Sequence, residues 1–156
     1  MITVTEKAKE KAIELMEKDG KPVEAFIRVG VEGGGCSGLS YKLEFDTEIK
    51  EGDITLSNPL DTSMVSAGKA TYGLKCQSCH RLTEEKLVGP GWKDVTKRRQ
   101  PVWIMNMITN VDMMLESDPE AQKLLEQCMV RMPNQNISQD EARKVIEFMR
   151  SNDGEK

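Results

Sequence analysis

Five consecutive residues, Cys76-Gln77-Ser78-Cys79-His80, carry the most chemistry in this chain. Cys-x-x-Cys-His is the attachment signature of a c-type haem. Two thiols add across the vinyl groups of the porphyrin and the adjacent imidazole binds the iron, so one short turn must present all three. A bare Cys-x-x-Cys also serves redox dithiols and zinc sites. The His narrows the choice, because His80 is the only His among 156 residues. A closed zinc site needs about four ligands, and no second Cys-x-x-Cys is present. A thioredoxin-like dithiol asks for a preceding strand in a βαβ context, and the residues before Cys76 offer neither.

With a single His, the other face of the iron is left to Met, Lys, an exchangeable water or nothing. There are 10 Met residues, and most lie on helix stripes where apolar packing accounts for them. Met132 follows Arg131 and precedes Pro133 in a polar loop, where packing accounts for it poorly. It lies 52 residues past His80, enough chain to fold around a porphyrin. Met132 is the favoured ligand and Met129 the runner-up. Trp92 and Trp103 suit the wall of a haem pocket, with an indole N–H free for a propionate. Arg98 and Arg99 could steady propionates, although a solvated basic face is the simpler reading. Cys128 reads as a small hydrophobe, and Asp112, Glu116 and Asp118 as solvated helix-face charges. No paired carboxylates or Ser-His-Asp set suggests an enzyme.

The elements that must position these residues fall into two groups. Thr5 caps a helix to about Lys18, with Ala8, Ala12, Ile13, Leu15 and Met16 as its apolar stripe. Ala25 to Val31 and Leu39 to Phe45 alternate at period two around Gly33-Gly34-Gly35-Cys36-Ser37-Gly38, which predicts an antiparallel pair. Ile54 and Leu56 are expected to start a third strand. Ser57 to Ser63 has linker chemistry, and beyond it the pattern turns helical. A helix from about Met64 runs into the Cys76–His80 turn. Val102–Leu115 and Ala121–Met129 read as two more, with Pro101 and Pro119 near their starts. Ser138-x-x-Glu141 is a capping box for a last helix to about Ser151. Gly68 would let the first and last of these helices cross closely, bringing Tyr72 to Phe148. The expected organisation is a small α+β segment over 1–57, a linker over 58–63 and an all-α domain over 64–156.

Composition sets bounds on the reading. Apolar residues make up 38% and charged residues 31%, so each half has a thin core and would gain from a large apolar prosthetic group. The net charge of −4, spread along the chain, lacks the basic face that nucleic acid requires. No apolar run is long enough to span a bilayer. Met1-Ile2-Thr3-Val4 leads straight into charge, without the apolar core of a secretory signal.

Gly68 to Tyr72, Cys76 to His80, Gly89-Pro90-Gly91-Trp92 and Arg131-Met132-Pro133-Asn134 follow one another in an order and spacing that resembles a class I cytochrome c, over about 64–152. The resemblance implies His80 and Met132 on opposite faces of one covalent haem c. It also implies a Pro90 carbonyl that accepts from the proximal imidazole. Arg28-Val29-Gly30-Val31 through Gly35-Cys36-Ser37-Gly38-Leu39-Ser40-Tyr41 resembles the first half of the A-type iron–sulfur carriers, over about 1–53. In that family the Cys matching Cys36 joins a C-terminal Cys-Gly-Cys, which this sequence lacks. A lone thiolate holds no cluster by itself, so a resident iron–sulfur cluster is disfavoured and Cys36 is the weakest metal candidate.

The sequence therefore points to an electron carrier that docks redox proteins such as a terminal oxidase or another respiratory enzyme. No nucleic acid and no membrane span are expected. The haem half belongs in the periplasm or another extracytoplasmic space, whereas the N-terminal half looks cytoplasmic. An unpaired sheet edge there favours weak self-association. Two alternatives stay open: an iron–sulfur assembly module that borrows ligands from another chain, and a haem enzyme or sensor with an open sixth site.

Overall fold

The computed structural model describes residues 5–33, 39–50, 53–54 and 56–156; Cys36 lies outside them. Backbone contacts divide the chain into two units, meeting between residues 55 and 56.

In the first unit α1 (Glu6–Lys18) is capped by Thr5, whose hydroxyl accepts from the Ala8 N–H at 3.2 Å. β1 (Phe26–Gly33) and β2 (Leu39–Asp46) form a two-stranded antiparallel sheet. Ile27 pairs with Phe45 and Val29 with Leu43, so alternation places these four on one face. The helix and both strands thus form where the sequence pattern places them. Their apolar surfaces stay open: α1 contains no buried residue, and Ile13, Ile27, Val29 and Leu43 are exposed. On the polar face Arg28 donates to Asp46 at 2.9 Å and to Asp53 at 2.6 Å.

Ile54 and Leu56 begin no third strand, and the described sheet has two. The backbone there is already committed: Asp53 closes a turn with Lys50, and the carbonyl of Ser57 accepts from Arg150.

The second unit holds α2 (Thr62–Lys75), α3 (Val95–Arg98), α4 (Pro101–Thr109), α5 (Val111–Ser117), α6 (Pro119–Cys128) and α7 (Gln139–Asn152). Its frame is the crossing of α2 and α7. A Cβ at Gly68 would lie 2.0 Å from the Lys144 carbonyl oxygen, so only glycine lets the two backbones approach this closely. One turn on, Tyr72 meets Phe148 with ring centroids 5.5 Å apart. The capping box at Ser138 forms in full, and Val145 and Ile146 are almost wholly buried. Val111, Met114, Leu115 and Ala121 make a further cluster, against which Trp103, Met107, Leu125 and Met132 pack.

Two sequence expectations are corrected here. The helix expected over Val102–Leu115 is two, broken at Asn110, which leaves helical geometry (φ −144°, ψ 57°) and serves as the end of α4 and the start of α5. Asn favours such junctions because its side chain competes for local backbone bonds. The stretch expected to be a linker is fastened to α7. Glu147, fully buried, accepts from the Ser57 hydroxyl at 2.6 Å and the Asp61 N–H at 3.1 Å, and pairs with Arg143 and Arg150. Asp61 also caps α2 through the N–H groups of Ser63 and Met64.

The charge is not spread evenly either. Residues 1–55 hold 8 basic and 12 acidic side chains, and residues 56–156 hold 14 of each. The whole excess of −4 sits in the first unit.

Candidate haem site

The Cys76–His80 turn grows out of the end of α2. The N–H groups of Cys76 and Gln77 both donate to the Tyr72 carbonyl at 2.9 Å. Cys79 and His80 donate to the Cys76 carbonyl at 3.0 and 2.9 Å, which curls the segment and brings the imidazole back beside the thiols. The Cys79 carbonyl accepts from the Gly89 N–H at 2.9 Å, tying the turn to the Gly89-Pro90 loop. The Tyr72 hydroxyl donates to the His80 carbonyl at 2.7 Å.

The imidazole itself is fixed. His80 Nδ1 lies 2.9 Å from the Pro90 carbonyl oxygen. A carbonyl only accepts, so Nδ1 carries the proton and the Nε2 lone pair is left for a metal. The Trp92 ring stands 5.4 Å from the imidazole and 5.1 Å from Tyr72. A Cβ at Gly89 would come within 2.4 Å of the imidazole, so this position must be bare for the ring to sit where it does. Burial pushes the His80 pKa down, opposed by the weaker effect of its bond to Pro90, and the ring is neutral at pH 7. Burial, then the neighbouring Cys79, push the Cys76 thiol up to about 11. A redox dithiol needs the opposite shift, toward the thiolate.

Next to this turn lies a cavity of about 390 Å³, within the range of ligand pockets. Cys79, His80, Pro90 and Trp92 line it from the turn and loop, with Trp103, Ile104, Met107 and Ile108 from α4, Leu115 from α5 and Leu124 and Leu125 from α6. Met132, in the loop before α7, lines it too. One wall region thus offers a neutral imidazole with a free lone pair and beside it a thiol. Elsewhere the walls are largely apolar and include thioethers. That donor set suits a flat, apolar, iron-bearing group. A protein-only metal cage is not found: among the described residues no three His, Cys, Asp or Glu side chains come together.

Of the sequence candidates, Cys79, His80, Pro90, Trp103 and Met132 line one cavity, and Cys76 belongs to the same turn without lining it. Met129, the runner-up ligand, is 84% exposed at the end of α6 and does not line this cavity. Trp103 differs from expectation. Its indole N–H is not free for a propionate but donates to Asp118 at 3.1 Å. Asp118 is therefore more than a solvated charge: the same oxygen accepts from the Ala121 N–H at 2.8 Å and caps α6. Arg98 and Arg99 are more than a solvated basic face. Arg98 donates to the carbonyls of Gly91 and Lys93, and Arg99 lies 4.8 Å over the Trp103 ring and pairs with Glu120. Met107 was missed, although its spacing of four from Trp103 puts both on one helix face.

The geometry agrees with kinship. The family model described as cytochrome c matches residues 65–153. The chain belongs to the cytochrome c family. A solved cytochrome c from Rhodothermus marinus is 32% identical, with a TM-score of 0.63 over 65% of this chain and 86% of the other. An engineered form of that protein, bound to a carbene intermediate, is 31% identical with a TM-score of 0.59, over 65% and 87% of the two chains. Residues 1–72 match a second model, iron-sulphur cluster biosynthesis. A putative iron-sulfur cluster insertion protein ErpA of Ralstonia pickettii is 43% identical over 56 residues, 36% of this chain and 44% of that protein. An uncharacterized protein in the nifU 5' region of Azotobacter vinelandii is 47% identical over 53 residues, 34% and 49% of the two chains. The chain spans about half the length of the curated relatives it matches. The cytochrome c match implies a covalent haem c in the second unit.

Proposed function

We propose that this protein moves single electrons through one haem c, attached to Cys76 and Cys79 and held axially by His80 and Met132. The observation that carries the reading is the His80–Pro90 bond beside a cavity that Met132 also lines. When bound, the haem supplies a reversible Fe(III)/Fe(II) couple, and thioether ligation favours the reduced state. The chain supplies the rest. Pro90 orients the imidazole and raises its donor strength. Ile104, Ile108, Leu115 and Leu125 line the cavity and would keep water from the bound group. If His80 and Met132 both hold the group, no position would be left for a substrate, which supports a carrier rather than an enzyme. Its partners are redox proteins, a terminal oxidase or another respiratory enzyme, met in the periplasm or another extracytoplasmic space.

A pyridine haemochrome assay with a reduced-minus-oxidised spectrum tests this. The expected result is one c-type haem per chain that denaturation and solvent extraction leave attached, and sharp reduced bands. The reduced wild type should bind carbon monoxide slowly, and Met132→Ala rapidly. Loss of all colour on extraction, or equally rapid binding in wild type and Met132→Ala, would overturn it.

A second reading is favoured by the match of residues 1–72 to an iron–sulfur family: the first unit presents Cys36 to iron or a cluster completed by another chain. Broad charge-transfer absorption lost in Cys36→Ser supports it, and spectra indifferent to that substitution exclude it.

A further inference from the structure

Trp103 is an aromatic wall of the cavity held by one polar and one charged contact. Its N–H donates to Asp118 at 3.1 Å, and Arg99 lies over its ring at 4.8 Å. Arg99 is in turn paired with Glu120 at 3.1 Å, which balances that cation. The Asp118 carboxylate receives N–H groups from Trp103 and Ala121 and makes no ion pair among the described residues, although Arg99 also acts on its charge, so Arg99, Glu120 and Asp118 together carry one net negative charge. Burial works against the charge, but the Ala121 N–H and then the Trp103 indole outweigh it, so the group stays below its usual pKa and is an anion at neutral pH.

We propose that Asp118 is a positioning residue of the haem site: it fixes the Trp103 indole against the cavity and leaves the group of Arg99, Glu120 and Asp118 beside that indole with one net negative charge. This rests on the haem reading above. The consequence follows from charge alone. Fe(III) haem carries one positive charge more than Fe(II) haem, and a nearby anion favours the more positive state, by less where solvent reaches it. Asp118 therefore holds the reduction potential below what His80 and Met132 would otherwise give. It also withholds the Trp103 N–H, so that the carboxylates of the bound group must find other donors.

Two neutral caps separate charge from orientation. Asn and Ser both cap helices well, so α6 should survive in each. Asp118→Asn keeps an acceptor at the same reach, and Asp118→Ser is too short to meet the indole. Midpoint potential by optical titration and the near-ultraviolet dichroism of the full-length holoprotein are measured for both. The expected outcome is an upward shift of the midpoint in both variants, with the Trp103 dichroism kept in Asp118→Asn and lost in Asp118→Ser. Trp103→Phe identifies that band and should abolish the dichroic difference between the two. An unshifted midpoint in Asp118→Asn, or an unchanged Trp103 band in Asp118→Ser, overturns the proposal while a normal haemochrome leaves the haem reading standing. A purified wild type without haemochrome overturns both.

Discussion

The two units have equally legible local patterns and unequal interiors. In α1 every apolar side chain is at least partly exposed, and the sheet beside it in sequence shows Val29 and Leu43 to solvent. In α7 seven residues are buried, Glu147 and Arg150 among them. Amphipathic spacing creates a helix face in both cases. It becomes stability only where a second face of matching shape covers it, because burial against a partner outweighs propensity in most protein helices. The curated relatives of the first unit are about twice the length this chain matches.

The largest test of this contrast is at the haem ligand. Gly89→Ala pushes a methyl group into the imidazole and should abolish or severely reduce haem attachment, read by haemochrome yield. Gly30→Ala, whose Cβ would meet only ordinary contacts at 3.8 Å, should leave that yield unchanged.

Next comes Glu147→Ala. It removes the buried carboxylate that Ser57, Asp61, Arg143 and Arg150 share and should cost about 3–5 kcal/mol, seen as a fall in the thermal midpoint by Trp fluorescence. Trp92 and Trp103 both lie in the second unit, so this signal reports that unit alone.

Ile146→Ala should cost about 2–5 kcal/mol in denaturant melts. Ile13→Ala, at an exposed position, should stay within about 0.5 kcal/mol. Equal costs at these two sites would break the comparison, by showing that α1 is covered in solution. At the α2–α7 crossing Gly68→Ala drives a methyl into the backbone of Lys144 and should cost about 3 kcal/mol.

The smallest effect is in acid. Glu147 is held below the usual carboxylate range: burial would raise it, but the bonds from Ser57, Arg143 and Asp61 outweigh that. A depressed carboxylate adds stability above its unfolded pKa, about 4.3, and loses it as pH falls toward the folded value. Stability of the second unit should therefore decline below about pH 4.3, and Glu147→Gln should flatten the decline. Asp46 and Asp53 in the first unit are depressed in the same sense, Asp46 chiefly by N–H groups of Glu48 and the Arg28 guanidinium, Asp53 chiefly by Arg28. They are too exposed to produce a comparable slope.

Much of this was legible in the sequence because it is local. Cys76 to His80 states its chemistry in five residues, Ser138 and Glu141 write their own cap, and Gly68 marks a crossing by its missing side chain. What was misread depends on partners distant in the chain. Trp103 and Asp118 are 15 residues apart, and only the fold decides that the indole N–H faces a carboxylate rather than the cavity. Ser57 and Glu147 are 90 apart, and their bond turns an apparent linker into part of the second unit. Residue type and spacing set which groups exist and which secondary structure they favour. Which donor meets which acceptor, and which apolar face is covered, is decided when the helices pack, because hydrogen bonds and burial act over a few ångströms in space whatever the distance along the chain.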